Sequence, residues 1–129
     1  MIPQTFIVEK TATGFSAYAE DFENASVGTT GKNLSELKAN ILEAINLHQE
    51  YHNASLYTPD LITLKYDLPQ FLHFYKEINA KALAKRVGMN QTLLSQYVNG
   101  KKAPSDKQIK KILTGIKELG RELTELELV

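Results

Sequence analysis

Four polar side chains with helical spacing, Gln91, Thr92, Ser95 and Gln96, form the chain's clearest candidate recognition surface. Residues three or four apart share one face of a helix, so these amides and hydroxyls would project together. Such groups hydrogen-bond to base edges in a major groove, and glutamine can pair with adenine through two bonds. The surrounding segment, residues 80–104, has five basic side chains and no acidic one. A polar face within a basic segment predicts binding to double-stranded DNA.

The same segment has the spacing of two short helices joined by a tight turn, the helix-turn-helix arrangement. Apolar residues recur at helical intervals in both halves, a glycine stands where the turn needs a left-handed backbone, and an asparagine can cap the second helix. The residues that fit are Leu83, Ala84, Val87, Gly88, Met89, Asn90, Leu94 and Tyr97. The alternative is an ordinary helical hairpin with solvated basic residues, but the spacing and the charge bias favour DNA binding.

The composition is that of an ordinary globular protein. The chain has 129 residues, of which 43% are hydrophobic and 23% are charged. No apolar run approaches the roughly 18 residues that a membrane span needs, and the N-terminus lacks the pattern of a signal peptide. Cysteine is absent, which excludes disulfides and thiolate metal sites. We therefore expect a cytoplasmic protein without a membrane partner.

The net charge of zero conceals two halves of opposite sign. Residues 1–66 have four lysines and eight acidic residues, whereas residues 67–129 have eleven basic and seven acidic residues. The halves thus carry charges of −4 and +4, and such asymmetry favours different partners for each. A basic half suits a polyanion such as DNA, while an acidic half suits a basic protein or simply confers solubility.

The first half has the pattern β-β-β-α-β. Alternating apolar residues predict strands over residues 5–10, 15–19, 25–30 and 61–68. A helix is expected from Asn33, where Glu36 completes a pattern like a capping box, to about His48. The sequence thus predicts the α+β class, with a small β-β-β-α-β domain over residues 1–67 and an all-α domain over residues 68–129. The free edges and uncovered face of such a sheet make pairing with another chain plausible.

The second half contains two further predicted helices around the hairpin. One opens at Pro69 and carries an apolar stripe of Phe71, Phe74, Tyr75 and Ile78. The last begins at Ser105, with Gln108 as its capping-box partner. Its apolar positions are Ile109, Ile112, Leu113, Ile116, Leu119, Leu123 and Leu126. A long core helix and a dimer contact both account for this stripe.

Residues 83–105, LAKRVGMNQTLLSQYVNGKKAPS, resemble the Xre/Cro-type helix-turn-helix family. The shared elements are Leu-Ala, a turn glycine, Leu-Ser in the second helix, Asn-Gly, two basic residues and Pro-Ser. Val98 stands where the family often has glutamate. The resemblance implies that Gln91, Thr92, Ser95 and Gln96 face bases. It also implies that Asn99, Lys101 and Lys102 lie near backbone phosphates.

The first half resembles the HicB-type antitoxin domain, a partial ribonuclease-H-like unit. The resemblance lies in its order of strand, turn, strand, Asp-Phe segment, short strand with glycine and capped helix. Residues 23–26, Glu-Asn-Ala-Ser, replace the family's usual Pro-Gly-Cys segment. Such antitoxins commonly carry a C-terminal DNA-binding module, which is the order found here.

This resemblance implies an antitoxin that neutralises a small HicA-type mRNA-cleaving toxin and represses its own operon. Because one helix-turn-helix makes few contacts, we expect a homodimer or a higher even oligomer on palindromic DNA. The alternative is a stand-alone Xre-type transcriptional regulator whose N-terminal domain dimerises or binds a ligand. Neither function needs a cofactor, a metal ion or catalysis. His48 and His52 lack a third metal ligand nearby, and the carboxylates of Glu20, Asp21 and Glu23 crowd one loop without converging strand partners. We therefore expect no enzyme activity.

Overall fold

The computed structural model describes residues 2–128, and the chain divides after Asp67 into two compact units. The first unit combines a four-stranded sheet with an α-helix, and the second consists of helices. The fold therefore belongs to the α+β class, which confirms the class predicted from the sequence. No helix within residues 2–128 is both long enough and apolar enough to cross a membrane.

The first unit is a mixed sheet of strand order β3-β2-β1-β4. Strand β1 pairs antiparallel with β2 and parallel with β4, and β2 pairs antiparallel with β3. A short 3-10 turn at Pro59–Leu61 precedes the last strand. The elements are β1 (Gln4–Thr11), β2 (Gly14–Ala19), β3 (Gly28–Gly31), α1 (Leu34–Tyr51) and β4 (Ile62–Tyr66).

Helix α1 covers one face of this sheet. Its start is confirmed, because the Asn33 side chain accepts a hydrogen bond from Glu36 N at 2.8 Å. The Glu36 carboxylate in turn accepts from Lys32 N at 3.2 Å, one residue before the cap. The side chains that α1 and the sheet bury against each other are Phe6, Val8, Ala17, Ala19, Leu37, Ile41 and Ile45. They form the core of the first unit.

The predicted bounds of three elements in the first unit were wrong. Strand β3 begins at Gly28 rather than at residue 25, because local turns use the backbone before it: Ala25 N donates to Asp21 O at 2.9 Å. Val27 N likewise donates to Ala25 O at 2.7 Å. Helix α1 continues past His48 to Tyr51, and β4 is shorter than predicted at both ends.

Over its described residues, 68–128, the second unit comprises four helices: α2 (Leu68–Phe74), α3 (Ala80–Val87), α4 (Gln91–Val98) and α5 (Asp106–Thr124). Their buried side chains converge on a second core, separate in membership from the first. Its buried members are Leu68, Leu72, Leu83, Ala84, Met89, Leu94, Tyr97 and Ile112. All the apolar hairpin residues predicted from spacing, apart from the half-buried Val87, are buried here.

The stripe predicted for α2 was wrong. The helix ends at Phe74, which is 40% exposed, so Ile78 lies beyond it. Leu68 and Leu72 are the buried residues instead, because their spacing of four places both on the face toward the core. The chain then turns, with Ile78 N donating to Tyr75 O at 3.0 Å, before α3 begins.

Helix α5 begins where predicted, since Ser105 Oγ accepts a hydrogen bond from Gln108 N at 3.2 Å. Ile112 and Gly115 are its buried residues. Leu123 is 56% exposed and Leu126, beyond the helix end, is 75% exposed. The interpretation of α5 as a core helix is therefore confirmed around Ile112 and is wrong for the apolar positions Leu123 and Leu126.

Candidate nucleic-acid interface

The turn between α3 and α4 is fixed by Gly88. This glycine has φ 68° and ψ 37°, the left-handed conformation predicted for it, which a residue with a Cβ adopts only with strain. Met89 N donates to Ala84 O at 2.8 Å and Gly88 N donates to Lys85 O at 3.3 Å. This pair of bonds is a Schellman motif, which satisfies the carbonyls at the end of α3 and directs the chain into α4.

Helix α4 is held at its start by Asn90 and along its length by two buried residues. The Asn90 side chain accepts hydrogen bonds from Thr92 N at 2.8 Å and Leu93 N at 3.2 Å, which confirms the predicted cap. Leu94 is fully buried and Tyr97 is nearly so. Because both anchors lie on one side of the helix, the opposite side must face outward.

The predicted recognition residues occupy that outward side. At about 100° per residue, Gln91, Thr92, Ser95 and Gln96 fall within one arc of roughly 140°. Gln91, Thr92 and Ser95 are exposed, whereas Gln96 is half-buried at the edge of the arc. We name these four residues the α4 face. Its amides and hydroxyls are the hydrogen-bonding groups that major-groove readout requires.

The turn after α4 presents the other three predicted residues. Gly100 has φ 73°, and a second Schellman motif joins Lys101 N to Gln96 O at 2.9 Å and Gly100 N to Tyr97 O at 3.2 Å. Lys102 N also donates to Gln96 O, at 3.3 Å. Asn99, Lys101 and Lys102 are all exposed directly beyond the α4 face. Backbone hydrogen bonds therefore tie the two lysines to the helix.

Neighbouring helices fix α4 and α3 in place. His73 Nε2 at the end of α2 lies 2.9 Å from Val98 O, the last residue of α4. Helix α5 approaches α3 so closely that a Cβ on Gly115 would stand 2.2 Å from Val87 Cγ1. This contact was not predicted, because Gly115 and Val87 lie on different helices and 28 residues apart in the sequence.

A basic row on the first turns of α5 was also missed. Lys107, Lys110 and Lys111 line a groove between α3 and α5, and Lys111 Nζ lies 3.5 Å from Gly88 O. Through this bond Lys111 satisfies a carbonyl at the C-terminal end of α3, whereas Lys107 and Lys110 are exposed in the first turns of α5. Lys110 and Lys111 follow Lys107 by three and four residues, so the three lysines share one face of the helix that Ser105 caps. This spacing was the signal in the sequence that could have revealed them.

Arg86 also lines the groove but is already paired. Its guanidinium forms an ion pair with Glu122 of α5. The hydrogen bond to Glu122 raises the pKa of Arg86, and the same bond lowers the pKa of Glu122. This pair links the end of α3 to the end of α5, which leaves the three lysines of the basic row as the groove's other cations.

The residues considered for metal binding all belong to the first unit. Within residues 2–128 the structure has no group of three His, Cys, Asp or Glu side chains that could hold a metal ion. His48 and His52 lie at the end of α1 with ring centroids 4.5 Å apart and ring planes tilted by 49°. Asp21 accepts hydrogen bonds from Asn24 Nδ2 at 3.0 and 3.2 Å, within an exposed loop.

A family model described as helix-turn-helix matches residues 76–125. The matched segment lies within the second unit and contains α3, α4 and α5 (Asp106–Thr124). It confirms the predicted Xre-type helix-turn-helix and indicates a module that binds double-stranded DNA in transcription regulation, a family not typically enzymatic. Neither the curated proteins nor the solved structures gave a match.

Proposed function

We propose that this chain is the antitoxin of a type II toxin-antitoxin pair. In this proposal the first unit binds and neutralises a small HicA-type toxin that cleaves mRNA. The second unit binds operator DNA and represses the operon that encodes both proteins. The chain itself acts as a binding protein of the cytoplasm, without a cofactor and without catalysis.

The observation that carries this proposal is the joining of a β-β-β-α-β unit to a DNA-binding helix-turn-helix in one short chain. That order is the one that the resemblance to HicB-type antitoxins implies. The charge division supports it, because a basic second half suits DNA and an acidic first half suits a basic protein. A helix-turn-helix alone would account for only one of the two units.

On the DNA side, each predicted residue has a proposed role. The α4 face enters the major groove, where Gln91 or Gln96 reads adenine through two hydrogen bonds. Asn99, Lys101 and Lys102 contact backbone phosphates and set the register without reading sequence. Lys107 and Lys110 of the basic row extend this phosphate contact along the backbone.

We further propose that the chain binds DNA as a homodimer or a higher even oligomer. One helix-turn-helix makes few base contacts, and two copies related by a two-fold axis would read the two halves of a palindrome. Leu123 and Leu126, exposed at the end of the second unit, are apolar positions that such an assembly could cover.

Expression of the small open reading frame beside this gene tests the antitoxin proposal. Its product alone should arrest growth and degrade mRNA, and co-expression of this chain should restore growth. The two proteins should then co-purify. If the neighbouring product is harmless, or does not co-purify with this chain, the antitoxin proposal fails. The stand-alone regulator then remains, since the DNA-binding unit does not depend on a toxin.

A further inference from the structure

The sheet face opposite α1 carries a partly exposed tyrosine, Tyr18. Side chains alternate along a strand, so the residues between the buried ones point away from α1. On β1 and β2 these include Ile7 and Tyr18, which are paired across the strands. In the first unit α1 is the one α-helix among the described residues, and it lies on the other face. Tyr18 remains 37% exposed.

Three carboxylates lie near Tyr18. Glu9 lies two residues from Ile7 along β1, and Glu20 lies two residues from Tyr18, where its N–H donates to Thr5 O at 2.8 Å. Asp67 follows β4, and its N–H donates to Val8 O at 2.9 Å. We name Ile7, Glu9, Tyr18, Glu20 and Asp67 the acidic face. Lys65, paired with Ile7 at the sheet edge, is the cation beside them.

The electrostatics of Tyr18 agree with this geometry. Partial burial, followed by the negative charges of Glu9, Asp67 and Glu20, raises the pKa of the Tyr18 hydroxyl above its ordinary value. Three carboxylates are thus close enough to act on one phenol ring. A positively charged group placed beside this ring would be attracted by all three carboxylates.

This combination fits a cationic protein surface. Tyrosine is enriched at interfaces because its ring gives a large, rigid contact area and its hydroxyl can hydrogen-bond. An arginine or lysine can lie over such a ring while also pairing with adjacent carboxylates. A protein that cleaves RNA must itself present cations to hold the phosphate backbone.

We propose that the acidic face is the surface on which the toxin docks, through the toxin's own cationic RNA-binding residues. This inference rests on the proposed function and adds to it a site and a means of inhibition. Carboxylates of this chain take the places of RNA phosphates, so toxin bound here cannot hold its substrate. Neutralisation then requires competition for the same cations rather than any chemistry.

The test uses the full chain and the product of the neighbouring open reading frame, co-expressed and then separated for affinity measurements. Tyr18→Ala and Glu20→Lys should each weaken the complex on the order of tenfold or more. Glu43→Lys, the same charge change at an exposed position on α1, should leave it unchanged. Affinity for the promoter DNA should match wild type in each variant, and thermal unfolding should match wild type for Glu20→Lys and Glu43→Lys. Tyr18→Ala removes a partly buried ring from the sheet and should still unfold cooperatively, at a lower temperature.

The outcomes separate this inference from the function on which it rests. Failure of the wild-type chain to bind the neighbouring product overturns the proposed function. Wild-type binding that Tyr18→Ala and Glu20→Lys leave intact overturns only the docking site. A change from dimer to monomer in Glu20→Lys, with toxin affinity retained, would instead assign the face to a second copy of the chain.

Discussion

Individual residues of the DNA-binding surface should divide into those that read sequence and those that supply affinity. Gln91 lies exposed at the start of α4, where an amide can pair with a base edge. We expect Gln91→Ala to lower discrimination at one base position by about 1–3 kcal/mol and to change affinity for unrelated DNA little. Selection of bound sequences from a random pool measures this. An unchanged preference would contradict the placement of the α4 face in the groove.

Phosphate contacts should behave in the opposite way. Lys101→Ala with Lys102→Ala should weaken binding to all sequences and reduce the slope of log affinity against log salt by about two. Lys32→Ala with Lys38→Ala removes two exposed lysines from the first unit and is the matched control. Equal salt slopes in the two double variants would argue against phosphate contact by the turn after α4.

The basic row of α5 can be measured in the same titration. If Lys107 and Lys110 extend the backbone contact, their joint replacement by alanine reduces the salt slope further and leaves base preference intact. A slope equal to that of the wild-type chain would mean that these lysines are solvated and that the groove faces away from DNA.

At the scale of elements, α5 contains two glycines with opposite expected effects on stability. A Cβ at Gly115 would meet Val87 Cγ1 at 2.2 Å, whereas a Cβ at Gly120 would meet nothing within 4 Å. Gly120→Ala should therefore stabilise by about 0.5–1 kcal/mol through helix propensity. Gly115→Ala should destabilise, because overpacking of about 1–3 kcal/mol exceeds that gain.

Chemical denaturation of the two alanine variants checks this contrast. A stabilised Gly115→Ala would show that Val87 can move aside and that α3 and α5 are less tightly packed than their geometry indicates. Affinity for DNA should fall only for Gly115→Ala, since that substitution displaces α3 and with it the turn at Gly88.

Local sequence patterns predicted the helix-turn-helix well because its determinants act over a few residues. Gly88 needs a left-handed backbone, Asn90 caps from its own position, and Leu94 with Tyr97 follow the helical period. Helix α2 was mispredicted because Phe74 and Ile78 also fit that period. Leu68 and Leu72 fit the helical period as well, and only the packing of α2 against the other helices determines that these two residues are buried.

Two features that were not predicted, the parallel strand pairing in the sheet and the tight contact of α5 with α3, depend on residues far apart in the sequence. Pairing of β1 with β4 in parallel depends on partners far apart in sequence, which alternation along a strand does not identify. The role of Gly115 depends on Val87 from another helix. The sequence was sufficient to place the four residues of the α4 face on the outward side of α4. Lys107, Lys110 and Lys111 also have helical spacing in the sequence, but the groove that they line depends on α3 packing against α5.

At the scale of the whole molecule, the two units should unfold as separate cooperative transitions. Each has its own buried cluster, and the two clusters share no residue. Ile41 and Ile112 are fully buried, one in each cluster. Ile41→Ala should lower the stability of the first unit alone, and Ile112→Ala that of the second alone, by about 2–5 kcal/mol.

Calorimetry together with hydrogen exchange, which assigns each transition to its unit, checks this expectation. Should either substitution shift both transitions equally, the units would be energetically coupled. If the two units unfold independently, a substitution in one unit should leave the other intact. The proposed toxin binding and the DNA binding can then each be tested by mutation.

The backbone bonds from Lys101 and Lys102 to Gln96 O have a consequence for the thermodynamics of binding. A lysine on a loose loop would lose backbone freedom on meeting a phosphate, at a cost of about 1–2 kcal/mol per ordered residue. Here that ordering is complete in the free protein, because the second Schellman motif joins the turn to α4. The side chains proposed to read bases and those proposed to contact phosphates would thus reach the DNA as one rigid body. The heat-capacity change on binding should then correspond to the surface buried at the interface, with no added contribution from a folding loop.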